Sequence, residues 1–268
     1  MNYTIQEWLN LAFRWAHVFA GIMWVGATYY FTWLDRRFHV ADHKQSDPDQ
    51  VWMVHSGGFY VVNKTKTPSP NHTLHWFKYE ALATWISGVL LLILVYYAGG
   101  LMTDGEPGKP SKTVAIIIGV AVLLVGWKVY DLLWLSPLAK NEPAAIAVSY
   151  ALLVGLAWWL PRVMSARAAF FHVGALMGTI MAANVWERII PAQKKMVAAV
   201  REGREPDQTL ADRAKFRSKH NTYLVMPVVM IMISNHYPVT TYGHQYNWVV
   251  LAVLTIVGWI VAHIIRKQ

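Results

Sequence analysis

Six histidines lie in, or at the ends of, apolar runs of this 268-residue chain: His17, His75, His172, His220, His236 and His263. An imidazole in hydrocarbon needs a polar partner, so such residues mark sites before they mark packing. Histidine is the commonest neutral metal ligand and a frequent axial ligand of haem iron. The chemistry these residues suggest is haem b held without covalent attachment, as one or two haems. His17 and His172 are the best iron ligands by depth, with His220, His236 and His263 as further cofactor candidates. Arg14, three residues before His17, shares its helix face and could pair with a haem propionate. The competing uses are plain: a histidine at a helix end meets water, and an arginine there snorkels. His39, His43, His72 and His244 read as solvated loop residues.

The elements that must carry these residues are membrane helices. The chain is 55% hydrophobic, with 14 Trp and 13 Tyr, too apolar for an ordinary soluble domain. Seven segments approach the roughly 20 residues needed to cross a bilayer. They are expected near 9–34, 75–100, 113–135, 144–160, 168–189, 220–237 and 246–265, with Pro143, Pro161, Pro191 and Pro238 marking span ends. The fold class is therefore an all-α integral membrane bundle, a single domain over 1–268. Two connections on one side are large, the loop 35–74 and the basic loop 190–219, whose residues 191–219 look like a surface helix.

Basic residues set the expected orientation. One set of loops holds 17 Lys and Arg, and the opposite set holds four: Lys109, Lys112, Arg162 and Arg167. The positive-inside rule places the rich side in the cytoplasm, the N-terminus outside and the C-terminus inside. The net charge of +9 then belongs to an anionic membrane face and not to nucleic acid. With no cysteine, disulfides, thiolate metal sites and c-type haem attachment are excluded. In the loop 35–74, β-forming residues flank Gly57-Gly58, which predicts a short hairpin, either a lid on the helix ends or a flap over a substrate. Within the spans, Lys128 and Asp131 are three apart and are expected to neutralise one another. Gly174 and Gly178 permit close approach of a helix or of a flat macrocycle.

Several long strings carry a family resemblance. They are Trp8-Leu9-Asn10-Leu11, Arg14-Trp15-Ala16-His17, Ile22-Met23-Trp24-Val25-Gly26, the run Trp52–Tyr60, Leu74–Ala81 with Thr84-Trp85, and Asn184-Val185-Trp186 with Ile190-Pro191-Ala192-Gln193. Together they resemble the membrane domain of the bacterial cytochrome c urate oxidases. More distantly, the step from His17 to Trp24 and Gly26 is similar to the first helix of membrane protoporphyrinogen oxidases and copper-resistance D proteins. In the former family that histidine is implicated in haem b binding.

The resemblance implies an inner-membrane oxidoreductase of purine breakdown that converts urate to 5-hydroxyisourate and passes electrons to a cytochrome c. In that family a cytochrome c domain follows the membrane domain. Here the sequence ends at Gln268 without cysteine, so the expectation is either a separate acceptor protein or a membrane-only form of the chain. Urate is a planar monoanion, and its capture needs a cation, amide hydrogen-bonders and an aromatic wall. Lys78, Asn184, Arg188 and Gln193 are the expected substrate contacts, near Trp76 and Trp186, with His75 or Glu80 taking a proton. Two other functions fit the residues alone: a cytochrome b type electron relay without its own substrate, and a transporter whose histidines carry protons or metal.

Overall fold

A computed structural model describes residues 3–38, 50–65, 73–103, 105 and 107–267. Eight α-helices and one hairpin make up the described chain. In order they are α1 (Tyr3–Arg37), β1 (Gln50–His55), β2 (Gly58–Asn63), α2 (Tyr79–Leu91), α3 (Lys112–Leu133), α4 (Glu142–Trp159), α5 (Ala166–Ala183), α6 (Ile190–Arg201), α7 (Gln208–Ile233) and α8 (Asn247–Arg266). His39, His43 and His72 lie outside the described residues.

Among the described residues, five helical stretches are long and apolar enough to cross a membrane: Tyr79–Ala98, Lys112–Leu133, Glu142–Arg162, Ala166–Arg201 and Asn247–Arg266. The chain is thus an integral membrane protein. α1 and α7, also expected to cross, fall outside that set for a compositional reason. α1 scatters Glu7, Asn10, Arg14 and His17 among its apolar residues. α7 is polar from Gln208 to Asn221 and becomes apolar only afterwards. α1 still exposes Trp8, Leu11, Trp15, Val18, Phe19 and Ile22 at helical spacing, an apolar face suited to lipid.

α5 is the axis of the bundle. It packs against α2, α3, α4 and α7, while α1 lies on α2, and α8 lies on α7 and α4. Its stretch is mostly buried, whereas the other four are mostly not. The core gathers Phe170, Val173 and Met177 of α5 with Leu92, Tyr96, Met102, Leu160, Met164, Ile231 and Leu251. A Cβ on Gly174 would meet Ile231 at 2.8 Å, so this glycine serves helix packing, not a macrocycle.

Two helices contain π-helical segments. α2 continues as Leu92–Ala98, and α5 runs through Asn184–Ile189 into α6. At the second, the helix does not break at Pro191. Proline lacks an N–H and crowds the preceding turn, and the widened segment before it absorbs that misfit, so the helix continues. The basic stretch 190–219, expected as a surface helix between spans, is helical: it holds α6 and the polar start of α7, joined by a short turn that Asp207 caps through Thr209 N at 2.9 Å.

Residues 50–63 form an antiparallel hairpin, with His55 opposite Gly58. The left-handed residues are Ser56 and Gly57, so the two-residue turn is Ser56-Gly57 rather than Gly57-Gly58. Tyr30 and Asp35 of α1 tether it, through Met53 and Lys64.

Candidate functional site

The polar residues of three helices meet in one buried network. Asp131, in the last turn of α3, is 3% exposed and takes both Arg188 and Arg217. Arg188 Nε donates to Asp131 Oδ1 at 2.9 Å and its Nη2 donates to Oδ2; Arg217 Nη2 donates to Oδ1 at 2.9 Å. Lys128 is not the partner of Asp131, because it is exposed on another face of α3. Two guanidinium groups on one carboxylate leave the network one positive charge in excess.

Hydrogen bonds fix the neighbouring amides. Asn221 Nδ2 donates to Met181 O at 3.0 Å, which turns its Oδ1 toward Asn184. Asn184 Nδ2 donates to Asn221 Oδ1 at 2.9 Å and to the Tyr130 hydroxyl at 3.1 Å. The Tyr130 oxygen is then an acceptor, and its own O–H is left for His220 Nδ1, 2.6 Å away. The end result is a donor, His220 Nε2–H. Three buried polar atoms of this network have no partner among the described residues: Asn184 Oδ1, Arg217 Nη1 and His220 Nε2. Buried groups of this kind are rare in native structures and call for a ligand or water.

The π-helical segment Asn184–Ile189 divides the expected substrate residues between two faces. Asn184 and Arg188, one turn apart, face the network. Val185, Trp186 and Ile189 face α2, where they pack with Trp24, Trp76 and Ala81. There the Lys78 ammonium lies 5.8 Å from the Trp76 ring centroid and 5.6 Å from that of Trp186. Glu80 Oε2 and Trp186 Nε1 are buried there without partners among the described residues. The expected cation, aromatic wall and proton acceptor are therefore present, but separated from the amide and arginine by a helix. Gln193 and His75 are exposed, and the His75 ring meets Phe77 edge-on, at 4.6 Å.

The remaining histidines are spread through the fold. His172 is fully buried; its Nδ1–H donates to Ala168 O at 2.8 Å, so Nε2 accepts from the Tyr97 hydroxyl at 3.1 Å. A Cβ on Gly119 would lie 2.5 Å from that Nε2, which places the nitrogen against the α3 backbone. His17 Nδ1–H donates to Thr84 O at 2.9 Å, leaving Nε2 as the lone-pair nitrogen. His236 and His263 are exposed, and His263 lies 3.0 Å from the Tyr223 hydroxyl. Arg14 is exposed and donates to Asn10 at 2.6 Å.

The urate oxidase N-terminal family matches residues 3–268. The chain belongs to that family. No curated protein and no solved structure matches it.

His17 and His172, the two iron ligands expected by depth, lie at different levels of α2. His17 meets α2 at Thr84–Gly88 and His172 meets it at Tyr96 and Tyr97. About nine residues separate these levels, roughly 10–13 Å along the helix. Nor does His172 keep a free nitrogen for iron. His17 does, and its bond to a carbonyl through the other nitrogen is the usual way a ligating histidine is oriented. Of the two, His17 is the residue that would hold a haem b.

Sequence reasoning missed Arg217, Tyr130 and Asn221. A signal existed: Arg217, His220 and Asn221 are three and four apart on α7, one polar face in a helix that faces the core. It was hidden because the polar start of α7 reads as part of a separate surface helix, with the next span beginning only at 220.

Proposed function

We propose that the chain is a membrane urate oxidase that binds urate at the Tyr130–Asp131–Asn184–Arg217 network. Family membership supplies the substrate class, and one observation carries the location: Asn184 Oδ1 and Arg217 Nη1 are an unpartnered buried acceptor and donor in a network with excess positive charge. A planar monoanion with N–H and C=O edges satisfies both. Asp131 and Arg188 hold Arg217 in place, and Asn221 orients Asn184. Water adds to C5 as two electrons leave, giving 5-hydroxyisourate. A haem b at His17, when bound, would accept electrons one at a time, and a cytochrome c or another carrier would receive them. Urate binding to purified protein, followed by calorimetry, tests the location. Asn184→Ala and Arg217→Gln should each weaken it by about 1–3 kcal/mol; unchanged affinity in both would refute the site.

A second reading places urate on the other face of the same segment, between Trp76, Lys78 and Trp186. The unpartnered Glu80 Oε2 favours it, since a buried carboxylate beside a purine is a proton acceptor. Glu80→Gln and Lys78→Met, rather than the α7 variants, would then abolish binding.

The split of basic residues supports an inner-membrane topology of seven crossings with the N-terminus outside. It puts the network and the hairpin on the cytoplasmic side. Labelling of a cysteine at Lys109 from the cytoplasmic side alone would reverse this orientation.

A further inference from the structure

α3 and α4 diverge and leave a groove of about 640 Å³ floored by α5 and α7. On α3 it runs from Ile118 to Leu133, about 22 Å at 1.5 Å per residue. Its walls are apolar, and residues on its rim such as Val125 and Leu152 are more than half exposed, so in a membrane it opens to lipid. Polar groups gather at one end: Tyr130, Glu142, Lys219 and His220.

The chemistry of that end is specific. His220 is 9% exposed, lines the groove and keeps an unpartnered Nε2–H, because Tyr130 occupies its other nitrogen. Trp134 stands edge-on to it at 4.2 Å, and Phe216 lies at 4.5 Å. Lys219 is paired with Glu142 at 2.5 Å, so the cation there is already neutralised and does not invite a phosphate headgroup. A neutral, flat, aromatic-compatible head with a carbonyl acceptor, on a long apolar tail, is what this groove complements.

We propose that the groove seats a lipid-soluble isoprenoid quinone, its head carbonyl accepting a hydrogen bond from His220 Nε2–H and its tail lying between α3 and α4. The quinone takes the two electrons of urate oxidation. Urate, water and quinone give 5-hydroxyisourate and quinol: the C5–O bond forms from water, and two electrons and two protons pass to the quinone oxygens. For the urate monoanion, one of those protons comes from solvent. The Asn184–Tyr130–His220 chain joins the two sites, so the inference rests on the proposed urate reading for its donor.

The binding step is tested apart from turnover. The full chain in phosphatidylcholine nanodiscs is titrated with decylubiquinone, reading quenching of tryptophan fluorescence, since Trp134, Trp159 and Trp259 line the groove. Saturable quenching is expected, weakened at least tenfold in His220→Phe and in the groove-filling Ile146→Trp variant, each taken as protein that remains folded below its own melt. Quenching that never saturates, or that is identical in both variants, overturns the site; so does co-purified phospholipid that quinone cannot displace. Saturable binding without urate-driven quinol formation leaves the site standing and sinks the donor reading instead. Urate consumption with a soluble dye, but no quinone binding, does the reverse.

Discussion

The Tyr130 hydroxyl lies 2.6 Å from Nδ1 of His220, and the same oxygen accepts a hydrogen bond from Asn184. One phenol thereby links α3, α5 and α7 and fixes the tautomer of a buried histidine. Tyr130→Phe keeps the ring and removes the link, leaving His220 Nδ1 unpaired. The expected cost is about 1–3 kcal/mol of stability, read from thermal melts in detergent. A melt equal to wild type would show that the hydroxyl is not what joins these helices.

Asp131 has a larger effect. Asp131→Asn leaves two guanidinium groups without their anion, and breaking a buried pair in this way costs about 3–5 kcal/mol. Lys128→Ala, by contrast, changes an exposed side chain and should stay within about 0.5 kcal/mol. Equal losses in the two variants would restore the pairing that spacing alone suggests.

Close approach at two glycines can be ranked. A Cβ on Gly119 would lie 2.5 Å from His172 Nε2, and one on Gly88 would lie 3.0 Å from His17 Cε1. The His172 ring is held at both nitrogens and cannot move aside, whereas His17 is only part-buried. Gly119→Ala should therefore cost about 1–3 kcal/mol, and Gly88→Ala less. Hydrogen exchange of α3 amides would check the order, and a more damaging Gly88→Ala would reverse it.

Much of this fold is legible in the sequence, because apolar length is a coarse and strong signal. The five most apolar stretches are where hydropathy puts them, and β-formers around the turn predict the hairpin. What the sequence hides depends on angle and register. Pro191 reads as a stop, yet a π-helical segment carries the helix through it. That same segment turns Asn184 and Arg188 away from Trp186, which spacing alone does not reveal. Asp131 is assigned to Lys128 by proximity in sequence, whereas its partners come from residues 57 and 86 positions away. The depths of His17 and His172 look equal when counted from assumed span ends, and differ once each is referred to α2.

Asp35 ties the end of α1 to the hairpin through Lys64 and to α7 through Lys215 at 2.9 Å. Partial burial opposes its ionisation, but these two ammonium groups outweigh burial and hold its carboxyl below the usual carboxylate range. The sign follows: the contribution is complete above the ordinary carboxylate pKa of about 4 and is lost as pH falls through the lowered value. Wild type should melt above Asp35→Asn at neutral pH, and the gap should close in acid below about pH 4. A gap that persists in acid would mean that the ion pairs are not its source.

Haem b, if held by His17, gives the two buried histidines different signatures. His17→Ala should remove or shift the Soret band of haem-loaded protein. His172→Ala should leave the spectrum unchanged and lower stability, since it removes bonds to Tyr97 and Ala168. Loss of the band in the second variant alone would assign the iron to His172.

Urate turnover is the most direct measurement. Purified protein in nanodiscs is mixed anaerobically with urate and an artificial electron acceptor, and urate loss is followed with acceptor reduction. The account predicts stoichiometric two-electron oxidation in wild type and a marked loss in Asn184→Ala and Arg217→Gln proteins that remain folded. No urate consumption with any acceptor, or wild-type rates in both variants, would contradict it.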